Sequence, residues 1–239
     1  MYRQLDAQKI VDTACRLQSR ISERFSGSGL SRLAAEVSAA ARETLERSRW
    51  IRKPHLPLRI AIYVLLTAIL GLFLALVASL EWPKLKQFGE FIQVLEAGLS
   101  AMFFISAFVI FLFTWESRIK RDRALKAIHE LRAMAHIVDM HQLTKNPDAF
   151  FFVQNDTASS PKRTLSAFEL GRYLDYCSEL LSLIGKIAAL YSHCLEDPVV
   201  LEAVDDVEDL TTELSQKIWQ KITLLDTLKL QIDSPKPKG

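Results

Sequence analysis

Glycine and proline are scarce in this chain, with eight of each in 239 residues. They cluster at a few points, and so few breaking points argue for few, long elements. Cysteine is scarcer still. Cys15, Cys177 and Cys194 include no close-spaced pair, which excludes a Cys-based metal or redox motif. They read as small buried or half-buried residues in a reducing compartment. The chain also lacks a Gly-rich nucleotide loop and a Gly-x-Ser-x-Gly nucleophile turn. No cofactor and no reaction are therefore expected. Its basic residues are not interleaved with aromatics, so a nucleic-acid surface is not expected either.

Charge itself is missing from two places. Ile60–Leu80 carries none over 21 residues, and Ala97–Trp115 none over 19. As helices these would reach about 32 and about 29 Å, close to the thickness of a bilayer's hydrocarbon core. The stretch between them is too short for a domain. The first run begins too far along, and runs too long, for a cleaved secretory signal, so it is expected to stay as an anchor. These runs predict a two-helix transmembrane hairpin, with the lipid bilayer as its first partner.

What is present fixes an orientation. Arg42, Arg47, Arg49, Arg52, Lys53 and Arg59 precede the first run, and Arg118, Lys120, Arg121, Arg123 and Lys126 follow the second. The intervening loop balances Lys84 and Lys86 against Glu81 and Glu90. Cations are retained on the cytoplasmic side, so both termini are expected in the cytoplasm and the protein in the plasma (inner) membrane. Trp82 and Trp115 would then mark opposite interfaces, where indole rings prefer to sit.

The remaining sequence reads as helices. Ile10, Ala14, Leu17, Ile21 and Phe25 form one apolar stripe; Leu30, Leu33, Val37, Ala41 and Leu45 form another after the Ser26–Gly29 break. Pro54 and Pro57 interrupt any continuous helix into the first span. No breaker follows Trp115, so the second span is expected to continue to about Leu143. The stretch 144–164, with Phe150–Phe152, reads as irregular. Ser166 and Glu169 have capping-box spacing and should open a helix to about Leu195. Asp197-Pro198 should cap another. Along it Val207, Leu210, Leu214 and Leu225 belong to a nearly heptad seam that Lys221 interrupts. The tail from Ser234 should be disordered. The fold class is thus an all-α membrane protein. It divides into an N-terminal helical hairpin and linker over 1–57, a transmembrane hairpin over 58–115, and a cytoplasmic bundle of long helices over 116–239.

Candidate sites are few. Thr67, Gly71, Ala75 and Ser79 recur every four residues in the first span, and Ala97 and Ala101 offer small surfaces in the second, a pattern for close helix packing. His129, His136 and Asp139 share a helix face and offer a polar or metal-binding face, though Arg132 among them repels cations. Glu96, at the outer end of the second span, suits a pore mouth in an oligomer. Residues 1–60 carry 12 basic and 6 acidic side chains, whereas residues 166–215 carry 2 and 11. The N-terminal hairpin can therefore dock on acidic helices, or the bundle can present them to a basic partner. The expected function is a non-enzymatic, membrane-anchored interaction or scaffold protein. It would bind a protein partner, or a second copy of itself as a homo-oligomer, through its cytoplasmic helices. The alternative is an oligomeric two-span pore gated by the bundle.

Overall fold

The structure is a computed structural model that describes residues 5–52, 56–79, 88–147, 158–160 and 164–233. The expectations for Trp82, Lys84, Lys86, Phe150–Phe152 and the C-terminal tail lie outside the described residues. Among those described there is no strand. The six helices are α1 (Ala7–Arg24), α2 (Gly29–Arg52), α3 (Leu56–Ser79), α4 (Phe88–Leu143), α5 (Ala167–Ser192) and α6 (Pro198–Asp233). The chain divides into two compact units. One runs to Arg52 and resumes at Arg123; the other is Lys53–Asp122.

Local chemistry sets the helix ends of the first unit. Asp6 caps α1, its Oδ1 accepting from the Gln8 and Lys9 amides at 3.0 and 3.3 Å. Gly27 then adopts φ 69°, a left-handed conformation that a Cβ would strain, and the chain turns into α2. The capping box forms at α5: the Glu169 amide donates to Ser166 Oγ at 3.2 Å, and the Ser166 amide donates to Glu169 Oε2 at 2.8 Å. Asp197 caps α6, accepting from the Val199 and Val200 amides at 3.1 and 3.4 Å. Pro198 follows in the first turn, where a missing N–H costs nothing.

Helix α5 is the centre of this unit. It packs most extensively against α6 and also against α1 and α2. Leu174, Cys177, Leu181, Ile184, Ala188 and Tyr191 are all buried, as their spacing predicts, and so are Leu170, Leu180, Ile187 and Leu190. A helix apolar on so much of its circumference can only sit inside a bundle. The Arg123–Leu143 part of α4 adds Ala124, Ile128, Leu131, Ala135 and Val138 to the same core. Phe25 closes it at one end, edge-on to Tyr173 and Tyr176 with ring centroids 5.4 and 6.1 Å away.

The seam on α6 is shifted by one residue at Leu210, and again at Lys221, where Ile222 is buried instead. Val207, Leu214 and Leu225 are buried, but Leu210 is half-buried and its neighbour Thr211 takes the inward position. Thr211 can occupy it because its Oγ1 donates to the Glu208 carbonyl at 3.0 Å, leaving its methyl for packing. Val200, Val204, Val207, Thr211, Leu214, Ile218, Ile222 and Leu225 then follow steps of three and four, the spacing of helices that pack side by side.

Leu214 is 4% exposed, so Leu214→Asp would bury a carboxylate without a partner. The expected loss is about 3 kcal/mol or more of stability in this unit. Limited proteolysis should then open α5 and α6, while Leu214→Met should keep the wild-type pattern. An unchanged pattern for the Asp variant would place the seam in solvent.

Candidate functional site

Many described apolar residues of the second unit are exposed, although Ile62 on α3 is buried. Within Leu95–Leu143 of α4, an 18-residue window reaches a mean hydropathy of 2.2, and none of it is buried. Leu99, Met102, Phe103, Phe104, Phe108, Ile110, Phe111 and Trp115 are all exposed. Among the described residues this is the one helix long and apolar enough to cross a membrane. α3 contributes a shorter apolar stretch, Ile60–Gly71. The side chains of Leu72, Phe73, Leu76 and Val77, which follow it, lie outside the description.

Among the described residues, no atom approaches the small-residue stripe closely at Gly71. Thr67, Gly71, Ala75, Ala97 and Ala101 are exposed. A Cβ built at Gly71 meets no described atom within 4 Å. Thr67 turns its hydroxyl back onto its own helix, donating to the Tyr63 and Val64 carbonyls at 2.9 Å each. The half-buried positions are instead Leu65, Leu66 and Ile69 on α3, and Gly98, Ile105, Val109 and Leu112 on α4. The Ser79 side chain lies outside the description. Glu96 is exposed.

The polar face of α4 separates into different environments. His129 and His136 are exposed, and Asp139 is half-buried. Arg132 pairs with Asp206 of α6 at 3.4 Å. Among the described residues no three His, Cys, Asp or Glu side chains come together as a metal cage. Asp139 belongs to a different arrangement, which the heptad reading of α6 passes over. Lys221 Nζ donates to the Gln142 carbonyl at 2.9 Å and to Gln142 Oε1 at 2.5 Å, and Gln142 Nε2 donates to Asp139 Oδ1 at 2.6 Å. The lysine that interrupts the apolar stripe thus supplies a cation at the C-terminus of α4, where exposed carbonyls favour one. Burial pulls Lys221 below its ordinary pKa, and Asp139 opposes that shift. A cation inside an otherwise apolar heptad was the signal in the sequence.

Cys177 and Cys15 are shifted in opposite directions. Burial pushes Cys177 up to about 12, so it stays a thiol in the core. Cys15 is lowered, first by Ser38 Oγ at 3.4 Å and then by the Arg42 guanidinium, which donates to its sulfur at 3.2 Å.

Described residues of the first unit line two recesses of note. A groove of about 1010 Å³ between α1 and α5 has a floor of Ile10, Leu17 and Leu183. Its rim cation Arg20 is engaged, paired with Glu179 at 3.0 Å and stacked over Tyr176 at 5.3 Å. A smaller recess of about 400 Å³ lies between α2 and α4, lined by Glu46, Arg47, Trp50, Ile51, Arg123 and Lys126. The Arg123 guanidinium lies 4.2 Å from the Trp50 ring centroid. Arg47 bonds Glu43 at 2.7 Å and faces Glu130 at 3.6 Å.

No protein-family model matches the chain, and neither the curated proteins nor the solved structures yield a match.

His141 provides a pH-dependent measure of how the N-terminal hairpin seats on α4. Its ring lies against Gly29, so close that a Cβ there would clash with the imidazole. Burial, then Arg32 and Lys145, push His141 below its ordinary pKa. The folded state therefore favours the neutral ring. Its stability is complete above the unfolded value of roughly 6.5 and declines as pH falls below it, towards the lower folded pKa. The thermal midpoint should fall between about pH 7.5 and about pH 5.5, and His141→Asn should reduce that fall. An equal fall in the variant would assign the pH dependence to other groups.

Proposed function

We propose that this protein is a membrane-anchored, non-enzymatic interaction or scaffold protein. Its α3 and α4 segments form a two-span hairpin in the plasma (inner) membrane, and its helical bundle works in the cytoplasm. The observation that carries this reading is the row of eight large apolar side chains on α4 from Leu99 to Trp115, all exposed. Covering a side chain of this kind is worth roughly 1.5–3 kcal/mol. Leaving eight in water would cost on the order of 10 kcal/mol, comparable to the whole stability of a domain. A bilayer removes that cost along the length of a helix.

The orientation rests on the Arg and Lys residues before Ile60 and after Trp115. The scaffold role rests on the bundle's outer surface. Ile137, Met140 and Leu143 on α4 and Trp219 on α6 are exposed on the unit that would face the cytoplasm. A protein partner or a second copy of the chain would cover it. In the second case the exposed Gly71 stripe is available for packing between copies.

Topology provides the test. In a variant with all three cysteines replaced, a single cysteine at Lys86 should react with a membrane-impermeant maleimide in intact cells. A single cysteine at Lys217, exposed on α6, should react only after permeabilisation. Labelling of both sites in intact cells, or of the Lys217 site alone, would overturn the orientation.

A further inference from the structure

We propose that the recess between α2 and α4 binds the phosphate headgroup of one anionic phospholipid. This rests on the membrane-anchored reading above. The volume, about 400 Å³, is within the range of small-ligand sites. Its lining holds Arg47, Arg123 and Lys126 against one carboxylate, Glu46. Arg47 is already shared between Glu43 and Glu130. Arg123 and Lys126 have no carboxylate partner among the described residues.

The Arg123 plane is held by Trp50 rather than by an acid. Stacking occupies the face of a guanidinium and leaves its N–H edge for hydrogen bonds. A planar fork presented in this way matches two oxygens of a phosphate. Lys126, three residues on, supplies a second cation on the same side of α4. The indole gives an amphipathic wall suited to the headgroup level.

Position in the chain favours a lipid over a free anion. In sequence, the first unit breaks off at Arg52, next to the recess residue Ile51, and resumes at the recess residue Arg123. Arg123 follows Trp115 by eight residues within one helix. Cα–Cβ bonds on a helix tilt towards its N-terminus, the direction in which Trp115 precedes Arg123 and Lys126 along α4. Long basic side chains reach an interface in this way. Basic pockets beside membrane helices on the cytoplasmic side suit anionic headgroups.

The experiment uses the full chain in detergent, with lipid adducts counted by native mass spectrometry. Dioctanoyl phosphatidylglycerol should bind at one saturable site, and dioctanoyl phosphatidylcholine much more weakly. Arg123→Gln should weaken phosphatidylglycerol about 5-fold, and Arg123→Gln with Lys126→Gln about 25-fold, from roughly one surface cation's contribution each. Lys217→Gln, which removes a cation elsewhere, should change nothing. Equal binding of the two lipids, or an unchanged affinity in the double variant, would overturn the proposal. So would competition by inorganic phosphate at the same affinity, which would make this a site for the free anion. Alkaline washing of membranes carrying the same proteins separates the two readings. A chain that is retained but shows no preference for phosphatidylglycerol loses the pocket and keeps its anchor. A chain released by the wash loses both.

Discussion

A long helix whose apolar side chains are exposed over most of its circumference is unstable in water, and the organisation of this protein follows from that constraint. α4 begins with such a stretch and ends as an ordinary amphipathic helix. Before Trp115, Leu99, Met102, Phe103, Phe104, Phe108, Ile110 and Phe111 are exposed. From Ala124 on, an apolar stripe is buried against the bundle and charged residues occupy the other faces. In the proposed reading one continuous helix serves two solvents, and the change between them coincides with the cations that follow Trp115.

The bundle depends on a different use of surface. α5 is buried on most sides by α1, α2 and α6, so the N-terminal hairpin is part of the same core as the C-terminal helices. Opposite charge assists this seating only at its edges. Arg20 and Glu179 form a pair at 3.0 Å, yet both are nearly half exposed, and such pairs contribute at most about 1 kcal/mol. Apolar burial by Ile10, Leu17, Ile21 and Phe25 holds the hairpin in place, and the charge asymmetry between the two parts of the sequence is left mainly as a surface property.

Much of this was legible in the residues. The Ser166–Glu169 box and the Asp197-Pro198 start appear where their chemistry places them, and α4 runs unbroken to Leu143 because nothing after Trp115 interrupts it. Local rules suffice for such features. Tertiary context decided the rest. Thr211 replaces Leu210 in the α6 seam because a hydroxyl bonded to its own helix packs like a small apolar group. Lys221 is explained only once the end of α4 lies beside it. The four-residue register of Thr67, Gly71, Ala75 and Ser79 identifies a smooth helix face, but a single chain cannot say what approaches it. The recess at Trp50 was invisible in sequence because Trp50 and Arg123 are 73 positions apart.

In the proposed reading, lipid covers the exposed face of α4. A nitroxide label at Phe104, which is 70% exposed, measures this directly in protein reconstituted into liposomes. Its relaxation should be enhanced strongly by oxygen, which concentrates in hydrocarbon, and weakly by a hydrophilic nickel chelate. A label at Lys217 should show the reverse. Strong enhancement by nickel at Phe104 would put that residue in water, and weak enhancement by both would put it inside a protein contact. Either result would contradict the account.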